Sequence, residues 1–130
     1  MSQNYACKSL NGWANVHGKI FLGEELGMTG AQASLQRLAP GEDAPFLHSH
    51  KTHEELYIII SGNGEYQVDG EIFPVAEGSI IRVAPEGVRA LRNTGNIDMV
   101  MCCVQYQAGK FGASDDFMID ANISAEPVKW

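Results

Sequence analysis

His48-Ser49-His50, followed by Glu55 and then Gly62, is the stretch that decides how this 130-residue chain is read. Histidines at i and i+2 of an extended segment project to one side, and a carboxylate at the start of the next strand closes on them. Two imidazoles and one carboxylate are a donor set that holds iron(II), manganese, nickel or zinc while leaving positions open for water or substrate. His48, His50 and Glu55 are therefore the candidate metal ligands.

Around this stretch, turn signals recur at short intervals: Pro40-Gly41, Gly62-Asn63-Gly64, Asp69-Gly70, Glu77-Gly78, Glu86-Gly87 and Thr94-Gly95-Asn96. Between them lie strand-length runs rich in β-branched and aromatic residues, at 31–38, 55–60, 65–68, 71–75, 79–83 and 99–106. That rhythm predicts an all-β sandwich or barrel. Asp69-Gly70 predicts a two-residue hairpin, because both central positions of such a turn take positive φ. The first thirty residues are less regular, and Glu24 to Met28 reads as a short helix or a loop. In the C-terminal segment a helix start is expected around Ser114-Asp115-Asp116. Both ends are candidates for reaching across to a second subunit. The absence of repeats and linkers predicts a single domain over 1–130, with a barrel core at about 30–108.

Composition narrows the partners. A formal charge of -7 argues against nucleic acid, since no Lys/Arg stripe is present to displace counterions from phosphates. The expected partner is a small molecule. Cys7, Cys102 and Cys103 form an odd set without paired spacing, as expected of reduced thiols. Cys102 and Cys103, facing opposite sides of one strand, read as small core hydrophobes, and Met99, Met101 and Cys103 as one core face. Met1 to Leu10 carries no apolar run after a basic start, and no stretch approaches the ~18 apolar residues of a membrane span. A cytoplasmic protein without membrane contact is expected.

Gly41, His48-x-His50, Glu55 and Gly62 together resemble the first motif of the cupin superfamily, with one extra residue between Gly41 and His48. Gly78, Pro85 and Asn93 resemble the second motif. The resemblance implies a double-stranded β-helix, the cupin jelly-roll barrel, with metal ligands inside it and commonly a homodimer. One departure stands out: the second motif contains no histidine where the family places a fourth ligand. Counting forward from Pro85 puts Ala90 there, and counting back from Asn93 without a gap puts Arg89 there. The gapless register is preferred, because Arg89, Leu91 and Asn93 then share one strand face.

An arginine beside a divalent ion is repelled by about 8 kcal/mol at about 4 Å and an effective dielectric of about 20. Good zinc sites gain on the order of 10–16 kcal/mol, so the repulsion weakens such a site without abolishing it. Arg89 has two other options. It can pair with Glu55 as fork and carboxylate, occupying the place of the metal, or turn to the mouth and clamp an anion.

Tyr57 shares the face of Glu55, where its phenol serves the pocket as a donor of a hydrogen bond or proton, or forms a half-buried wall. Tyr57 and Arg89 are thus the candidate catalytic side chains. Glu54 takes the opposite face and is expected in solvent, as is His53 in the turn. His17 is a remote candidate, as a group contributed across a dimer interface. Gln36 and Gln105 need partners if buried, but strand parity alone leaves their faces open. Two functional classes fit. One is a metal-binding cupin acting on a small polar or anionic metabolite by oxygenase, decarboxylase or isomerase chemistry. The other is a non-catalytic cupin that binds or senses its ligand, with Arg89 in place of the fourth metal ligand.

Overall fold

The computed structural model describes residues 2–112 and 117–130. Among these described residues eight strands dominate: β1 (Lys19–Phe21), β2 (Gln32–Leu38), β3 (His53–Ser61), β4 (Asn63–Val68), β5 (Glu71–Ala76), β6 (Ile80–Val83), β7 (Arg89–Asn93) and β8 (Met99–Gln107). They form two antiparallel sheets, in the orders β1-β2-β8-β3-β6 and β5-β4-β7. The all-β expectation holds, and the two sheets build the double-stranded β-helix.

The hairpin between β4 and β5 turns on Asp69 and Gly70 at φ 52 and 83, with Val68 opposite Glu71. These are the left-handed angles that a two-residue turn imposes. At the start of β4, a side chain on Gly64 would collide with the Arg92 carbonyl of β7, so only glycine allows the two strands to meet there. A short helix, α1 (Gly23–Leu26), ends at left-handed Gly27 (φ 66), so the Glu24 to Met28 segment is helix as far as Leu26 and loop beyond it. A second, α2 (Phe117–Asp120), follows in the C-terminal segment. The helix start expected at Ser114 to Asp116 lies outside the described residues. Strands β1 and β7 are not among the strand-length runs of the sequence reading. One is only three residues long, and the other, Arg-Ala-Leu-Arg-Asn, contains no β-branched or aromatic residue.

The main core joins the two sheets through buried Leu38, Tyr57, Ile59, Tyr66, Val83, Met99 and Met101. A second cluster of Val16, Leu35 and Val100 packs on the other face of the larger sheet, and Cys102 joins it. Asn93 links the sheets at the far end of β7. Its buried amide donates to the Leu38 carbonyl at 2.9 Å and to that of Ile97 at 2.8 Å, and its oxygen accepts from Gly95 N at 2.9 Å. The asparagine of the second motif is thus a structural tie that satisfies the buried carbonyl of Leu38.

Candidate metal centre

Side chains from β1, β2, β3, β7, β8 and the segment before β3 line one pocket of about 310 Å³. His48 and His50 lie on an extended segment that precedes β3. Its main chain pairs with β7: His48 N donates to Arg89 O at 3.1 Å, Arg89 N to His48 O at 2.9 Å, and His50 N to Pro85 O at 2.8 Å. The histidines therefore sit on a stretch with isolated bridges, at Asp43–Arg92 and His48–Arg89, and not on a strand of regular ladder. Strand β3 contributes Glu55 and Tyr57, β7 contributes Arg89, and β8 contributes Met101, Cys103 and Gln105.

Glu55, 4% exposed, is the hub. Its Oε1 accepts the Tyr57 hydroxyl at 2.9 Å and lies 3.3 Å from Arg89 Nη1. Its Oε2 accepts Gln105 Nε2 at 3.1 Å and the Cys103 thiol at 3.3 Å. The two imidazoles close from the mouth side, with His48 Nε2 3.8 Å from Oε1 and His50 Nε2 3.4 Å from Oε2. One ligand atom from each of His48, His50 and Glu55 can be chosen so that all lie within 4.8 Å of one another.

The residues fit a divalent ion. Ligand atoms at roughly 2.1 Å from one ion stand about 3 to 3.5 Å apart, close to the carboxylate–imidazole separations here. Burial lowers the pKa of His48, which favours the neutral imidazole that a metal requires. Burial works against ionisation of Glu55, yet donors from Gln105, Tyr57 and Cys103, with His50 beside them, hold its carboxyl below the usual range. An ion would share this carboxylate with groups that already surround it.

Arg89 is fully buried and shares the inward face of β7 with Leu91, opposite Val68 and Tyr66 of β4. Ala90 takes the opposite face. Of the arrangements open to Arg89, the structure shows it against Glu55 and not turned to the mouth. Its Nη2 donates to the Ala84 carbonyl at 2.7 Å, while Nε and Nη1 make no hydrogen bond of good geometry among the described residues.

Tyr57 is buried beside Glu55, and burial drives its pKa far above the ordinary phenol value, so it remains a donor to the carboxylate. Cys103 departs from the sequence reading. It faces Glu55 and is not simply a core hydrophobe; burial, reinforced by that carboxylate, pushes its thiol up to about 12. Gln105 is a further pocket residue, as is Gln36. His53 is half-buried where solvent exposure was expected, because it is the first residue of β3 and Nδ1 reaches Gln105 Oε1 at 2.8 Å. With the amide oxygen accepting there, the Gln105 nitrogen faces both Glu55 and His50 Nε2, the latter at 3.4 Å. Glu54 is on the outer face but half-buried, held by the Tyr106 hydroxyl at 2.8 Å and by Arg82 at 2.9 Å. His17 is exposed.

A barrel of two antiparallel sheets with an imidazole and carboxylate cluster inside defines a class of small β-barrel proteins. Residues 34–105, more than half of the chain, match the family model for the cupin domain, Cupin_2, and the chain belongs to that family. A crystal structure of a cupin protein from Bacteroides fragilis is similar over 95% of this chain and 99% of its own, with a TM-score of 0.84 and 32% identity. An uncharacterized protein of Methanocaldococcus jannaschii is 32% identical over 75 residues, 58% of this chain and 60% of its own length. An oxalate-binding protein of Thermotoga maritima is 29% identical over 68 residues, 52% of this chain and 55% of its own length. The chain thus matches little more than half the length of these two relatives. Among the described residues no helix is long and apolar enough to cross a membrane.

Proposed function

We propose that this cupin holds a divalent transition metal, iron, manganese, nickel or zinc, through His48, His50 and Glu55, and binds a small polar or anionic metabolite at it. The observation that carries this reading is the convergence of the three ligand atoms within 4.8 Å in the pocket. The name of the Thermotoga maritima relative, an oxalate-binding protein, agrees with a small anion as ligand. A bound ion would polarise a carbonyl, enediol or carboxylate oxygen of the ligand. The chain's own residues supply the setting. Tyr57 and Arg89 fix Oε1 of Glu55, Gln105 fixes Oε2, and the apolar wall at Met101 limits water. Oxygenase, decarboxylase and isomerase chemistry share this starting point, and the fold does not rank them.

The direct test is metal analysis and calorimetry on the purified chain with each of the four ions. Stoichiometric uptake that is lost in His50→Ala and Glu55→Ala is expected; no uptake of any ion removes the reading. Arg89→His, which offers an imidazole in place of the guanidinium, should tighten binding by about tenfold or more as the repulsion is relieved.

A second reading is favoured by the Arg89–Glu55 pair itself. With four side chains already directed at the carboxylate, the pocket is also a metal-free binding or sensing site, and ligand binding that survives chelation would select it. For assembly, a homodimer is supported by the exposed apolar side chains of Phe111, Ile119, Ile123, Val128 and Trp130 in the C-terminal segment. We also propose that 1–130 acts as one domain in the cytoplasm.

A further inference from the structure

The charges of the pocket point to a narrower ligand class than "small and polar". Apart from His48 and His50, three ionised side chains line it among the described residues: Glu55, Arg89 and Lys19. Glu55 and Arg89 neutralise one another in the floor, with 5% and 1% of their side chains exposed. In a protein of formal charge -7, the pocket is therefore left with the uncompensated ammonium of Lys19. Loading a divalent ion adds two positive charges, and the Glu55 charge that would offset one of them is already matched by Arg89. A histidine at position 89 would have left that carboxylate free to do so.

Lys19 is placed to act on a ligand. It lies on β1 directly opposite Gln36 of β2, and both line the pocket. The ammonium is exposed and lies 5.0 Å from the centroid of the Phe21 ring, a cation–π contact with its neighbour on the same face of β1.

We infer that the ligand is a small dianion, with one anionic end at the His48–His50–Glu55 centre and the other at Lys19. The inference rests on the metal-binding reading for its first anchor and is independent of it for the second. Two negative charges answer both unmatched positive groups, whereas a monoanion leaves one of them unanswered. A dicarboxylate and a phosphate ester share this chemistry.

Calorimetry with succinate and succinamate, which differ by one charge at nearly constant shape, tests it on the full chain loaded with zinc or cobalt. Succinate should bind on the order of tenfold more tightly, and the preference should shrink as salt is raised. Lys19→Gln should weaken succinate by up to about fivefold, the range of a solvent-exposed ion pair, while Lys19→Arg keeps it. Glycerol 3-phosphate run beside succinate assigns the dianion to phosphate or carboxylate. Equal affinity for succinate and succinamate, or a preference unchanged by Lys19→Gln, overturns the inference while leaving metal binding intact. A chain that takes up no metal overturns the proposed function instead. The Lys19 anchor is then judged on the metal-free protein, where loss of the succinate preference overturns it.

Discussion

Arg89 Nη1 lies 3.3 Å from Glu55 Oε1, with both side chains sealed from solvent. Removing one partner of a buried ion pair strands the other, at a cost of about 3–5 kcal/mol. Arg89→Met should therefore lower stability by that amount in urea unfolding, and Arg89→Lys by less, since it keeps the charge without the fork. A divalent ion at Glu55 supplies the missing positive charge, so zinc should restore much of the loss. An Arg89→Met chain as stable as the parent would show that the pair is not holding the floor.

Gln105 and His53 are expected to set metal affinity without touching the ion. Gln105 donates to Glu55 Oε2, and His53 fixes the amide's orientation. Outer hydrogen bonds of this kind carry about 10- to 100-fold in affinity. Gln105→Leu and His53→Ala should weaken zinc binding in that range by calorimetry. His53→Asn, which keeps an N–H close to the position of Nδ1, should recover part of it. Equal affinities across the series would reduce His53 and Gln105 to packing.

Acidification should destabilise the fold. Glu55 is held below its usual 4.5 by its donors, and Glu54 by hydrogen bonds from Tyr106 and then Arg82. Between the folded and unfolded values the unfolded chain binds more protons, so stability rises with pH there. The contribution is complete above about pH 4.5 and disappears as pH falls through the folded values. His48, whose pKa burial lowers, adds a fall that begins below about pH 6.5, so the melting temperature should be level above that pH and drop further below about pH 4.5. Glu54→Gln should make the drop slightly shallower, by no more than about 0.5 kcal/mol at this accessible pair.

The three thiols should separate by reactivity. Cys7 is exposed, burial raises Cys102, and Cys103 is pushed up to about 12. Thiolate is the reactive form, so at pH 8 one thiol should label rapidly with a disulfide reagent and two slowly. Cys7→Ser should abolish the fast phase. Rapid labelling of Cys103 in the folded chain would mean that Glu55 does not face it.

Much of the architecture was legible because its signals are local. Asp69-Gly70 specifies its own turn, and the spacing from Gly41 to Gly62 and from Gly78 to Asn93 carries the family resemblance. Parity within β7 placed Arg89, Leu91 and Asn93 on one face. The outer part of the site was hidden because it depends on pairing between distant strands. Gln105 meets Glu55 only because β8 lies beside β3 with those two residues in register, fifty positions apart. One signal was present: the alternation that turns Met99 and Met101 inward carries Cys103 and Gln105 to the same side. Lys19 had no such signal, since β1 is three residues long and, among the described residues, pairs only with β2.

The main-chain pair between His48 and Arg89 sets how this barrel can vary. Those two bonds do not depend on the side chain at position 89, so the frame that presents the first histidine stays in place when that residue is exchanged. On the proposed metal-binding reading, exchanging Arg89 for histidine would take a positive charge out of the pocket and bring in a further imidazole donor on the same frame.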